Sequence, residues 1–240
     1  MIRLDTLANG CKIYQDPKAF CFGVDALLLC AFAKIKRSAR VIDLGTGNGI
    51  IPLALHSSHA KSGCHYTGLE VQEAAVDLAS KSVLENGFEN SIDIVCGDVK
   101  NVKKLFEPQS FDVVVSNPPY MKVQGSKESE RQEKRIARNE VLCSFDDIAA
   151  AAAFLVKENG SVFFVHRPYR LQEIFEGLSR FKLAARRALF VYPAIGKAPE
   201  MVLIEAKKNY KKDLQIEPPL VMYQGRQYTK EFLEYVKGLS

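Results

Sequence analysis

The chain has 240 residues, with 33 Lys+Arg against 28 Asp+Glu, a formal net charge of +5, six Cys and no Trp. With 47% hydrophobic and 25% charged residues, the composition is near the globular average and excludes a chain that is disordered throughout. The longest apolar runs, Ala26–Ala33 and Ile148–Val156, fall well short of the roughly 20 residues that span a bilayer, so no membrane segment is expected.

Residues 1–40 read as an N-terminal extension containing one helix, Val24–Ala33. Apolar runs and helical patterns then alternate. Val41–Leu44, Tyr66–Leu69, Ile92–Val95, Phe111–Val115 and Ser161–Val165 are expected strands. Helices are expected from Gly49–His56, over Gln72–Glu85, over Phe145–Lys157 with Asn159-Gly160 as the stop, and over Leu171–Leu178. Two final strands, Ala188–Val191 and Met201–Glu205, are joined by a short connection punctuated by Pro193, Gly196 and Pro199. The expected fold is α/β: a Rossmann-like, mostly parallel sheet with helices on both faces, closed by an antiparallel C-terminal hairpin at the sheet edge. One domain over 1–240 is expected, with no linker or repeat. Residues 121–143 form a charged segment, long for a loop, and read as a substrate loop.

The first strand runs into Asp43-Leu44-Gly45-Thr46-Gly47-Asn48-Gly49. Gly45, Gly47 and Gly49 let the backbone turn tightly and approach a ligand. Their spacing departs from the dinucleotide fingerprint, and no Gly-Lys-Ser/Thr follows to make a P-loop. Glu70 ends the second strand, where it can accept from two ribose hydroxyls. Asp98 follows the third, where it can meet an adenine amino group, and Asp43 can bind a cationic amine. Three carboxylates at consecutive strand ends suit a cofactor with positive charge and no phosphate, which S-adenosylmethionine (SAM) satisfies. Val71 and Val99, beside Glu70 and Asp98, complete the expected cofactor contacts, together with Asn117.

Asn117-Pro118-Pro119-Tyr120 follows the fourth strand and is expected beside the glycine loop. The Asn117 side-chain oxygen and the Pro118 carbonyl can hold the two hydrogens of a planar amine as its nitrogen becomes pyramidal. Tyr120 can stack on the planar group that carries it. Asn117, Pro118 and Tyr120 are therefore the candidate catalytic residues.

These motifs, with Tyr14-Gln15 and Phe22-Gly23-Val24-Asp25-Ala26-Leu27-Leu28-Leu29 before them and Ala137-Arg138-Asn139-Glu140 after, resemble the bacterial tRNA1(Val) (adenine-N6)-methyltransferase family, whose members carry a seven-stranded class I SAM-dependent domain. The resemblance implies methyl transfer from SAM to an adenine N6 in a tRNA anticodon loop. It implies SAM contacts at Asp43, Gly45, Glu70 and Asp98, and target contacts at Asn117 and Tyr120. Protein glutamine-N5 methylation and ribosomal RNA guanine-N2 methylation use similar motifs and stand as alternatives, as does a non-catalytic RNA-binding protein.

Charge placement points toward RNA. Lys122, Lys127, Arg131, Lys134, Arg135 and Arg138 outnumber Glu128, Glu130 and Glu133 directly after the motif. Arg131 and Arg138 are the candidate phosphate contacts. Arg167, Arg170, Arg180, Lys182, Arg186 and Arg187 form a second basic stretch. The six cysteines include no C-x-x-C and no ligand quartet is visible, so no metal and free thiols in a reducing cytoplasm are expected. The expected state is a monomer.

Overall fold

The structure, a computed structural model, describes residues 2–7, 9–17, 23–60, 62–118 and 143–239. An antiparallel hairpin, β1 (Arg3–Thr6) and β2 (Lys12–Gln15), opens the chain and is followed by α1 (Val24–Phe32). The alternating region holds β3 (Arg40–Leu44), α2 (Ile50–Ser58), β4 (His65–Glu70), α3 (Glu73–Glu85) and β5 (Ile92–Cys96). A helical turn at Val99–Asn101 leads into the short α4 (Val102–Leu105), then β6 (Phe111–Ser116). After the undescribed 119–142 come α5 (Phe145–Leu155), β7 (Val156–His166), α6 (Leu171–Arg180), β8 (Leu183–Ala194) and β9 (Met201–Lys208). Short strands β10 (Gln215–Ile216), β11 (Leu220–Gln224) and β12 (Gln227–Tyr228) and helix α7 (Lys230–Tyr235) follow.

The main sheet runs β5-β4-β3-β6-β7-β9-β8-β11-β12, with β10 also on β8. Strands β3 to β7 pair in parallel, and β9 is inserted antiparallel between β7 and β8. The direction of winding reverses between β3 and β6, which makes their carboxyl ends the switch point where ligands bind in open α/β sheets. Along β6, Val113 and Val115 face one core with α1 and α2, while Val114 faces the other with α5 and α6. Burial on both sides explains why these strands read as continuous apolar runs rather than alternating ones.

The terminal hairpin is present, but it does not lie at the sheet edge as expected: β11 and β12 extend the sheet beyond β8. Pro218 and Pro219 lack N–H donors, which interrupts the edge between β10 and β11 and left little strand signal in the sequence. Helix α5 ends at Leu155, not Lys157. Asn159-Gly160 is not a helix stop; it lies in an irregular stretch of β7, between the Phe111–Val156 and Val113–Ser161 pairs. There a Cβ on Gly160 would sit 2.6 Å from the Asp112 carbonyl oxygen. The hairpin of β1 and β2 carries no legible period in the sequence, because both strands are four residues long.

Candidate functional site at the carboxyl edge of the sheet

Gly45, Gly47 and Gly49 all take positive φ, at 76°, 56° and 84°. Only glycine adopts that run without strain, and a Cβ at Gly45 or Gly47 would point into open space. Gly49 then caps α2, which tolerates Pro52 because its first-turn N–H groups have no helical partner. The result is a bare backbone cradle between β3 and α2.

Glu70, buried at the end of β4, reaches into this cradle. Its Oε2 accepts the Gly47 N–H at 3.0 Å and its Oε1 accepts the Gln72 N–H at 2.9 Å. The Leu69 carbonyl accepts from both Gly45 and Thr46. A carboxylate has room for about four hydrogens, so Glu70 keeps acceptor capacity after ordering the loop.

Asp43 is the unusual group. It is 1% exposed at the end of β3, and neither of its carboxylate oxygens has a hydrogen-bond partner among the described residues. The buried Thr46 hydroxyl has none either. Burial pushes the Asp43 pKa up to about 7; the nearby Thr46 hydroxyl pulls it down without meeting hydrogen-bond geometry, and Glu70 adds repulsion. An uncompensated buried carboxylate is costly, so its place beside an open backbone cradle calls for a cationic or donor-rich ligand.

Asp98 lies after β5, but its Oδ1 accepts the Lys100 N–H at 2.8 Å and caps the helical turn; Lys100 Nζ is 3.6 Å from Oδ2. Val71 is exposed beside Glu70, and Val99 is buried. At the end of β6, the Ser116 hydroxyl donates to the Leu44 carbonyl at 2.8 Å, tying β6 to the last residue before the cradle. Half-buried Asn117 and buried Pro118 follow directly. Tyr120, Arg131 and Arg138 lie outside the described residues.

His166 ends β7, the neighbour of β6. Its Nδ1 accepts the Arg167 N–H, and burial, then Arg170, drives its pKa down to about 3. It is a neutral, weakly basic neighbour of the Asn117 strand. Thr46 lies inside the glycine motif and Gln15 in the Tyr14-Gln15 pair of the family resemblance, but the buried position of each beside the cradle is visible only in the structure.

Four arginines of the second basic stretch are paired with acids. Arg187 bonds Glu205, Glu217 and the Phe32 carbonyl; Arg186 bonds Glu205; Arg170 pairs with Glu173; and Arg180 pairs with Asp146. Among the described residues no group of His, Cys, Asp and Glu is placed to hold a metal, and no helix is long and apolar enough to cross a membrane. Cys11, Cys30, Cys64, Cys96 and Cys143 are free, while Cys21 lies outside the described residues.

Reading β5-β4-β3-β6-β7-β9-β8 across the sheet, with a glycine cradle after β3, gives the strand order of a class I SAM-dependent methyltransferase. A family model described as "Methyltransferase domain" matches residues 35–185. A tRNA1(Val) (adenine(37)-N6)-methyltransferase of Haemophilus influenzae strain 86-028NP is 30% identical over 232 residues, 94% of this chain and 93% of the relative. One of the same name from Bacteroides thetaiotaomicron is 28% identical over 227 residues, 94% of this chain and 92% of the relative. In structure, the chain is similar to a predicted O-methyltransferase from Agrobacterium tumefaciens, with a TM-score of 0.73 at 21% identity, over 90% of this chain and 97% of that one. At that identity the likeness speaks for the fold. The chain belongs to the methyltransferase-domain family and, within it, to the family of the tRNA1(Val) (adenine(37)-N6)-methyltransferases.

Proposed function

We propose that this chain methylates the exocyclic N6 of an adenine in the anticodon loop of a valine tRNA, with SAM as donor. The reading rests on one observation above the others: the buried Asp43 carboxylate, without a hydrogen-bond partner among the described residues, beside the open glycine cradle. An ammonium group of SAM supplies the missing charge. Glu70 has acceptor capacity left for ribose hydroxyls, and Gly45, Gly47 and Gly49 leave space for close approach. Val71 and Val99 flank the adenine, and Asp98, although it caps a turn, retains oxygen capacity for the adenine amine. The donor set therefore fits the cofactor, which when bound supplies an electrophilic methyl and leaves as S-adenosylhomocysteine.

The protein's own part is positioning. Asn117 and the Pro118 carbonyl accept the two hydrogens of the target amine and favour the tetrahedral nitrogen over the planar one. Tyr120 stacks on the base, and Arg131 and Arg138 hold flanking phosphates. A base in a loop costs least to swing out. The amine proton leaves readily once the nitrogen has been alkylated, so no strong base is needed before attack.

We take residues 1–240 as one methyltransferase domain with 1–40 as an extension and 121–143 as the substrate loop, acting as a monomer in the cytoplasm without metal. The names of the relatives favour tRNA over a protein amide or ribosomal RNA. Transfer of labelled methyl to total tRNA and total protein tests this; label confined to protein would refute it.

A further inference from the structure

Gln15 closes β2 at a position where the buried Ile13, two residues earlier, sets an inward face. Strand alternation calls for an apolar residue there, yet the position holds an amide that is 3% exposed. Its Nε2 donates to Asp5 Oδ2 at 2.5 Å, and its Oε1 accepts from Asn48 Nδ2 at 3.4 Å. Asn48 is itself buried and sits in the glycine cradle between Gly47 and Gly49. Asp5 is in turn held by Arg3 at 2.6 Å. The relay Arg3–Asp5–Gln15–Asn48 runs from the first strand to the cofactor loop.

Other bonds hold the same hairpin to α3 without touching the loop. Ser82 Oγ accepts the Tyr14 N–H at 2.9 Å, Asn86 Oδ1 accepts the Lys12 N–H at 2.8 Å, and Asn86 Nδ2 donates to the Lys12 carbonyl at 2.7 Å. The hairpin is therefore anchored on α3 and extends one side chain to the cradle. A buried amide whose two ends are used as acceptor and donor is specific to glutamine here. Glutamate could not donate to Asp5 and would repel it, and an apolar residue would leave the buried Asn48 amide short of an acceptor.

We propose that Gln15 is a positioning residue for the cofactor loop, so that a hairpin outside the matched residues 35–185 tunes SAM affinity through Asn48. This rests on the reading that the glycine cradle holds SAM.

The test is calorimetric SAM binding and steady-state kinetics on the full chain, comparing wild type, Gln15→Met, Asn48→Ala, the double variant and Ser82→Ala. The expected result is a SAM Kd and KM raised by about 5-fold in Gln15→Met, the scale of one lost hydrogen bond. Saturating kcat and the KM for RNA should stay at the wild-type level, and the double variant should be no weaker than Asn48→Ala alone. Ser82→Ala should lower Tm comparably while leaving SAM affinity unchanged. Unchanged SAM affinity in Gln15→Met would overturn the proposal. So would equal weakening by Ser82→Ala, which would reduce the hairpin to a general stabiliser. If Gln15→Met does not fold, Asp5→Ala, which frees the end of the Gln15 amide remote from the cradle, is compared with Ser82→Ala instead: a raised SAM Kd in Asp5→Ala alone supports the relay, and an unchanged one overturns it. Failure of the wild type to bind SAM would instead refute the functional reading.

Discussion

Glu70 Oε2 accepts the Gly47 backbone N–H at 3.0 Å, so the acid at the end of β4 fixes the glycine cradle before any ligand arrives. Its other oxygen takes the Gln72 N–H at 2.9 Å. Both contacts need acceptors. Glu70→Gln places an amide donor against one of two N–H donors, and Glu70→Ala removes both acceptors. Each variant is expected to weaken SAM binding by at least about 10-fold, with a cost of about 1–3 kcal/mol in stability from unsatisfied N–H groups. Calorimetry and urea unfolding check this; wild-type affinity in both variants would contradict it.

Asp43 gives the site a pH dependence. Its pKa stands at about 7, well above the usual carboxylate value. Between the unfolded value near 4 and this folded value, the folded chain binds the extra proton, so this group makes stability fall as pH rises through that window. A cationic ligand needs the ionised form. SAM affinity should therefore drop below pH 7, by up to about 10-fold per pH unit, and binding should release a proton. Calorimetry at pH 6 and pH 8, in buffers of different ionisation enthalpy, measures both effects. Asp43→Asn should weaken binding and flatten the profile.

The Arg187 cluster governs stability rather than RNA contact. Arg187 Nε lies 2.9 Å from Glu205 Oε2, its Nη1 lies 2.6 Å from Glu217, and its guanidinium carbon sits 3.9 Å from the centre of the Phe32 ring. It thus ties α1 to β9 and to the segment after β10. Arg187→Ala removes the more buried of the two cations on Glu205, leaving Arg186 and the Ser161 hydroxyl as partners, and should cost about 1–3 kcal/mol. Burial raises the Glu205 pKa, but bonds from Arg187 and Arg186 outweigh it and hold the pKa below the usual value. Its contribution is therefore full above the unfolded pKa and lost as pH falls through the folded one. Urea midpoints of wild type and Arg187→Ala should converge as pH falls into the acid range; a constant gap would contradict this assignment. Once corrected for folded fraction, the RNA affinity of Arg187→Ala should be unchanged.

These contacts show what sequence could and could not supply. The glycine cradle was legible because three positive φ angles demand glycine, and the acids at strand ends were legible because βα units place strand ends together. Asp98 was legible as an acid, but its capping of the next turn is a local geometric fact. Arg186 and Arg187 read as basic surface because Glu205 lies on a partner strand, a pairing fixed only by β8–β9 register. Gln15 was visible as part of the Tyr14-Gln15 pair, but its contact with the cradle was not, because Asn48 is 33 residues away. The edge strands after Pro219 were too short and too interrupted to give a period.

Asn117→Ala should separate chemistry from cofactor binding. It removes one of the two proposed acceptors for the target amine and leaves Asp43 and Glu70 in place. Turnover is expected to fall by about 100-fold or more, the scale of one lost transition-state hydrogen bond, with SAM Kd within about twofold of wild type. Full turnover in the variant would remove Asn117 from the reaction.

The most direct measurement is nucleoside analysis of tRNA after incubation with the wild-type chain and methyl-labelled SAM. The expected result is label in N6-methyladenosine from a valine tRNA, absent with Asn117→Ala. Label in N2-methylguanosine, label confined to protein glutamine, or no transfer by a chain that binds SAM would contradict adenine N6 as the target.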